Sequence, residues 1–281
     1  MNWDRRAFVK FAVGAMVGLH AGALAPKLMN QTKGKAMAMQ KPYKILAING
    51  SHRQKNGVSQ VLLNRFLKGS RAAGAECEII YPSRMDINLC TACYRCIVKT
   101  PGICFQKDDM AEVIKKMEQA DLLLLGAPVY FDTMSSGMKR LFDRLMPTLG
   151  PVFEFRDGRT YHLTTGKKAQ NVVTILLCGN PERESLRSIS ATFRRLVKNM
   201  GGRLQGEFLF TSSQMVISQA GELHAQLDAL EKAGKQVVLR GQIDQAILAT
   251  ANQEYVTDFE ADIAKKNKAF AEMMKQNGLG I

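Results

Sequence analysis

Lys44-Ile45-Leu46-Ala47-Ile48-Asn49-Gly50-Ser51-His52-Arg53-Gln54-Lys55-Asn56-Gly57-Val58-Ser59 is the stretch that decides the fold. Lys44–Asn49 is an apolar run of strand length. Gly50 and a set of short polar residues then break it. From Gly57 to Ala73 the apolar residues Val61, Leu62, Phe66 and Leu67 recur at helical spacing. A fully apolar strand, a glycine-bounded loop and an amphipathic helix make the opening of a β-α unit, and such strands belong in a parallel sheet covered on both faces.

The rest of the chain repeats that unit. Strands are expected at Cys77–Tyr81, Asp121–Ala127, Asn171–Cys178 and near Glu207–Thr211. Helices are expected at Asp108–Ala120, beginning at an Asp cap, and at Ser135–Leu145, Arg183–Asn199 and Gly221 to Arg240. Phe153–Arg156 and Thr160–Leu163 flank Asp157-Gly158, a hairpin signal inserted before the fourth strand. Tyr255, Phe259, Ile263, Phe270 and Met274 fall near helical spacing and predict a C-terminal packing helix. The reading is an α/β fold with a five-stranded, doubly wound parallel sheet. It forms one domain over 43–281, ample in a chain of 281 residues to bury a core.

In such a sheet ligands bind beyond the carboxyl ends of the strands, so the loop after the first strand is the candidate site. Ser51, Arg53, Asn56, Gly57, Val58 and Ser59 form an anion cradle there. Two hydroxyls, one cation and the backbone N–H groups of a helix N-terminus all favour a phosphate. The loop is neither G-x-G-x-x-G nor G-x-x-x-x-G-K-[ST], which argues against dinucleotide and ATP folds.

Cys90, Cys93, Cys96 and Cys104 form C-x2-C-x2-C-x7-C in the loop 87–105. Two-residue spacers let successive thiolates converge, and Pro101-Gly102 can turn the chain back for the fourth, so one metal centre is within their reach. The same spacing suits zinc, and in an oxidising compartment these residues form disulfides. All three readings stand at this point. Cys77, inside a strand, reads as a small core residue.

Residues 43 to 147 resemble the NADPH-dependent FMN reductases of flavodoxin-like fold, and within them the iron–sulfur flavoproteins. The carriers of the likeness are Gly50-Ser51-His52-Arg53, Ala127-Pro128-Val129-Tyr130-Phe131-Asp132 and the cysteine motif. His52 stands where the family has Pro, Val58 where Asn or Ser is usual, and Asp132 where a small residue is usual. The resemblance implies that the first loop holds the FMN phosphate and that Pro128, Val129, Tyr130 and Phe131 line the isoalloxazine ring. It also implies that the cysteines ligate a [4Fe–4S] cluster exchanging electrons with the flavin, with Arg95 and Lys99 offsetting its charge. Cys178-Gly179-Asn180 is placed at the pyrimidine edge of the ring.

No acid–base group is assigned to the chemistry. His20, His162 and His224 lie away from the flavin motifs, and His52 reads as a loop surface residue; flavin carries its own chemistry. The formal charge of +14 falls to +9 without residues 1–38. With no aromatic-interleaved basic stripe and no helix-turn-helix pattern, a nucleic-acid partner is not expected. Arg5-Arg6-Ala7-Phe8-Val9-Lys10 and the apolar run Phe11–Ala25 resemble a twin-arginine export signal within residues 1–38. That run is shorter than the ~20 residues of a membrane span. Export places the protein in the periplasm or tethered at the outer membrane face. The expected partners are a small-molecule electron acceptor and a quinol or redox-protein donor, with NAD(P)H as the alternative donor; a homo-oligomer is expected. The competing reading is an NAD(P)H-dependent FMN or quinone reductase without a cluster.

Overall fold

A computed structural model describes residues 41–156, 158–164 and 170–279. The segment expected to be a twin-arginine signal and Asp157 of the expected turn lie outside them. Seven strands and nine helices follow in this order among the described residues: β1 Lys44–Asn49, α1 Val58–Ala72, β2 Glu76–Ile80, α2 Arg95–Val98, α3 Met110–Gln119, β3 Leu122–Pro128, α4 Ser136–Asp143, β4 Leu149–Arg156, β5 Arg159–Thr164, β6 Asn171–Leu177, α5 Arg187–Asn199, β7 Arg203–Phe210, α6 Met215–Ser218, α7 His224–Arg240, α8 Gln245–Ala251 and α9 Phe259–Gln276.

Five strands pair in the order β2-β1-β3-β6-β7, all parallel, and β4-β5 form a separate antiparallel ribbon. Renumbering the five gives 2-1-3-4-5, the flavodoxin-like order. The apolar runs that predicted buried strands are buried: Ile45, Leu46, Ala47 and Ile48, and Leu122 through Leu125, are at most 3% exposed. One face of the sheet packs against α1, α7 and α8, the other against α3, α4 and α5.

The joint between α1 and α7 is made by two glycines. A Cβ on Gly69 would lie 1.8 Å from the carbonyl oxygen of Glu231, and one on Gly234 would lie 1.9 Å from that of Phe66. The two backbones therefore touch without intervening side chains. Ser70, buried beside them, donates its hydroxyl to the carbonyl of Gly234 at 3.0 Å.

Three expectations change. β7 starts at Arg203, four residues early, and carries an irregularity where Gln205 slips out of register with β6. Glycine beside such a bulge is usual, and a Cβ on Gly206 would press on Leu248 and Ile243 of the covering segment. Second, α8 adds a helix between α7 and the C-terminal one, in a stretch where no element was expected. It ends in Asn252, whose side chain accepts from Leu209 N and donates to Glu207 O, both at 2.8 Å, along the free edge of β7; an edge strand masked in this way presents fewer open groups. Third, α9 is not a packing helix: it has no buried residue among those described, and Phe270 is 62% exposed. It is fixed at its N-terminal part, where Lys266 donates to Gly179 O at 2.6 Å and pairs with Asp262.

Candidate functional site

β1 has β2 on one side and β3 on the other, so the chain leaves β1 at the point where the winding of the sheet reverses. Asn49 and Gly126 are register partners, and Gly50 N donates to Gly126 O at 2.8 Å. The loops after β1 and β3 thus emerge side by side. Asn49, fully buried, organises the first of them: its Oδ1 accepts from Ser51 N at 3.0 Å and its Nδ2 donates to Gln60 Oε1 at 3.0 Å. Ser51 Oγ accepts in turn from Arg53 N at 3.2 Å. Ser51 and Ser59 are buried, while Arg53 and Asn56 are exposed.

Gly57 is required here for space. A Cβ on it would stand 2.6 Å from Ser51 Oγ, displacing the hydroxyl that faces the start of α1. Val58 and Ser59 open α1, where the first N–H groups have no intrahelical acceptor and the helix dipole is positive. The six cradle residues expected from the sequence are brought together at this helix start. Ser135, which the sequence pattern marked only as a helix start, belongs beside them. Its hydroxyl donates to Gly50 O at 2.6 Å and accepts from Met138 N at 3.3 Å, closing the loop onto the N-terminus of α4.

Pro128 ends β3, and Val129 N donates to Leu177 O at 2.8 Å. Tyr130 and Thr133 then bond each other's backbones, at 2.8 and 3.2 Å, around Phe131 and Asp132. Both central residues have positive φ, 48° and 64°, as a tight mirror-image turn demands. That conformation accounts for the small residue usual at the position of Asp132. For Phe131 it is a strained one, and the ring is 99% exposed. Tyr130 lies against His52, with ring centroids 5.2 Å apart, and His52 Nε2 is 3.5 Å from Ser136 Oγ. His52, Gln54, Ser83, Ser136 and Arg140 line one open cleft together with Leu89 of the cysteine loop. Asn180 of the β6 loop is engaged elsewhere, donating to Ser185 Oγ at 2.9 Å.

The cysteine loop closes at its neck, where Asp109 accepts from Asp86 N at 2.8 Å and Asp108 accepts from Asn88 N at 2.9 Å. Inside it Ala92 and Tyr94 adopt positive φ, 50° and 55°, so the backbone reverses twist on either side of Cys93. The turn at Pro101-Gly102 forms as expected: Gly102 has φ 85° and its N–H donates to Cys96 O at 3.0 Å. Cys90 and Cys93 are exposed, Cys104 is half-buried, Cys96 is buried, and all four are free. They line a single pocket together with Phe105, Arg144, Met146 and Pro147. Burial, with the neighbouring Cys104, Cys90 and Cys93, raises the Cys96 thiol above its ordinary value. The Cys93 thiol is lowered, chiefly by the backbone N–H of Arg95. Among the described residues no group of three or more His, Cys, Asp or Glu, these four cysteines included, stands where it could hold a metal ion.

Of the two cations expected beside this loop, Arg95 is turned onto the Phe105 ring at 4.8 Å, and Lys99 is exposed. The cation at the sulfurs is Arg144, which the sequence reading missed. It is 1% exposed, pairs with Asp108 through both terminal nitrogens at 2.5 and 3.1 Å, donates to Asn88 O at 2.8 Å, and reaches Cys104 Sγ at 3.5 Å. Burial pushes the Asp108 carboxyl up, but hydrogen bonds from Arg144, Asn88 N and Met110 N outweigh it and hold it below its ordinary value.

Comparison with known proteins places these features in context. Residues 43–191, just over half of the chain, match the family described as NADPH-dependent FMN reductase. An iron–sulfur flavoprotein of Archaeoglobus fulgidus is 38% identical over 104 residues, 37% of this chain and 46% of its own length. One from Methanocaldococcus jannaschii is 38% identical over 104 residues, 37% of this chain and 52% of its own. The chain therefore spans about half the length of the curated relatives it matches. The solved NAD(P)H:quinone oxidoreductase from Methanothermobacter marburgensis superposes with a TM-score of 0.54 at 16% identity, over 70% of this chain and all of that one, a likeness of fold.

Proposed function

This chain belongs to the NADPH-dependent FMN reductase family, and from that premise we propose that it is an FMN-dependent oxidoreductase in which a cysteine-bound [4Fe–4S] cluster exchanges electrons with the flavin. The observation that carries the proposal is the placing of both candidate sites on one helix. The N-terminus of α4 closes the phosphate loop through Ser135, and its C-terminal cap, Arg144, touches Cys104.

The donor set suits each group. Ser51, Arg53 and the N-terminus of α1 offer hydroxyls, a cation and amide donors to a phosphate. Gly57 leaves open the space that a side chain would fill. Pro128, Val129, Tyr130 and Phe131 would flank the ring, with the fully exposed Phe131 available to cover it. Four free thiols around one pocket, with a guanidinium donating to one of them, suit a thiolate-ligated cluster. Relatives named iron–sulfur flavoproteins are 38% identical to this chain over 104 residues. When bound, flavin and cluster supply the electron chemistry; the chain binds them, orients them and keeps them a short distance apart.

The same reading takes the acceptor to be a small molecule and, because Arg5 and Arg6 head an export-type segment, the setting to be outside the cytoplasm, with a quinol or redox protein as donor in place of NADPH. Iron, acid-labile sulfide and FMN assayed in anaerobically purified protein decide the core of the proposal. An iron-free flavoprotein oxidising NADPH rapidly at micromolar affinity would replace it with a cluster-free reductase. Arg5→Lys with Arg6→Lys should hold the protein in the cytoplasm, since Lys lacks the planar fork of guanidinium; normal localisation of that variant removes the export claim alone.

A further inference from the structure

An arginine with 1% of its surface exposed calls for a reason, because burying a guanidinium is costly unless its charge and its donors are all matched. Asp108 matches the charge: the two side chains of the pair are 1% and 0% exposed. The Asn88 carbonyl takes a further N–H at 2.8 Å. The N–H groups left over after these bonds include the one that reaches Cys104 Sγ at 3.5 Å. A thiol is a weak acceptor, whereas a metal-bound thiolate carries negative charge and accepts strongly, the more so where water is excluded.

We propose that Arg144 is a positioning residue for the cysteine centre, holding Cys104 at the pocket and raising the reduction potential of the cluster by donating to that sulfur; this rests on the cluster reading above. Reduction adds negative charge to the cluster and its thiolates. Because Asp108 neutralises the guanidinium, the effect lies in the N–H aimed at one sulfur, which stabilises the reduced form more than the oxidised one; hydrogen bonds to cluster sulfurs are an established lever on potential. Because Arg144 also terminates α4, the helix that closes the phosphate loop, the residue fixes the cysteine loop to the flavin side of the fold as well.

The test uses the full-length protein, prepared anaerobically, as wild type, Arg144→Lys, and the double variant Arg144→Gln with Asp108→Asn. The double variant removes both members of the pair, so no buried charge is left unmatched, and Arg144→Lys keeps the charge while losing the fork. Iron, sulfide and FMN content and melting temperature are measured first, then the midpoint potential of the visible iron–sulfur absorbance. With FMN retained, the reduced-to-oxidised ratio at a fixed applied potential should fall by about tenfold in the double variant, equivalent to about 59 mV for a one-electron couple, and by less in Arg144→Lys. Loss of iron at unchanged FMN content and melting temperature, with all four cysteines intact, would equally support the positioning role. Wild-type iron content with an unchanged potential in both variants overturns the proposal and shows Arg144 to be a scaffold for the loop neck only. Absence of iron and sulfide from the wild type sinks the cluster reading itself, a failure visible before any variant is made.

Discussion

Ser135 and Arg144 terminate opposite ends of α4, the first hydrogen-bonded to Gly50 O at 2.6 Å and the second to Cys104 Sγ at 3.5 Å. At 1.5 Å of rise per residue the two lie about 13 Å apart along the helix axis. The loop after β1 and the cysteine loop are thus tied to opposite ends of one helix, whose amphipathic face is buried through Met138, Leu141 and Phe142.

Ser135→Ala removes an N-cap and the tie to Gly50 together. Loss of the cap alone costs about 1 kcal/mol. Urea unfolding should show a loss of about 1–2 kcal/mol, and FMN titration should show weaker binding as the loop loosens. Unchanged flavin affinity would mean that the loop holds its shape without α4.

Ser51→Ala with Arg53→Ala should weaken FMN binding by about 2–4 kcal/mol, the sum of one neutral and one charge-assisted hydrogen bond. Quenching of flavin fluorescence on titrating the apoprotein measures it. Affinity equal to wild type would remove this loop as the phosphate site.

Cys93→Ser and Cys96→Ser should each abolish the broad visible absorbance of thiolate-bound iron and sulfide while leaving FMN bound. The two residues differ in setting, Cys93 exposed and Cys96 buried. Cys96→Ser should therefore lower the melting temperature further than Cys93→Ser, which loses only the stabilisation supplied by the bound cluster.

Gly69→Ala brings a methyl group to 1.8 Å from Glu231 O, backbone that no rotamer change can move. Forcing α1 from α7 should cost about 3 kcal/mol, the upper end of overpacking. The signature is a lower urea midpoint at unchanged slope.

Acid should weaken the loop neck. The Asp108 carboxyl is held below its ordinary value of 3.8, so it contributes stability wherever it is ionised in both states, above 3.8. That contribution is lost as the pH falls through 3.8 and then through the lower folded value. The stability gap between wild type and Asp108→Asn should be widest near neutrality and shrink in that acidic range, as followed by thermal melts across pH.

How much of this was legible in the sequence follows from the range of the interactions. The strands were readable because Ile45–Ile48 and Leu122–Leu125 are apolar on both faces, a local property. The loop and turn chemistry was readable too: Gly57, Pro101 and Gly102 act through space and conformation at their own positions. Arg144 was not, since its partners are 36, 40 and 56 residues away, and within its own helix it looks like any basic residue near a C-terminus. The exposed α9 was misread because Phe259, Ile263 and Phe270 repeat at helical spacing whether or not anything covers them.

The glycine contacts of Gly69 with Glu231 and of Gly234 with Phe66 also bear on motion. Helices separated by side chains can slide by small rotamer adjustments, the shear mode of conformational change; two backbones in direct contact have no such play. α1 and α7 therefore move as one body. The segment between Gly50 and Gly57 is thus anchored at one end to β1 and at the other to a two-helix unit, not to α1 alone.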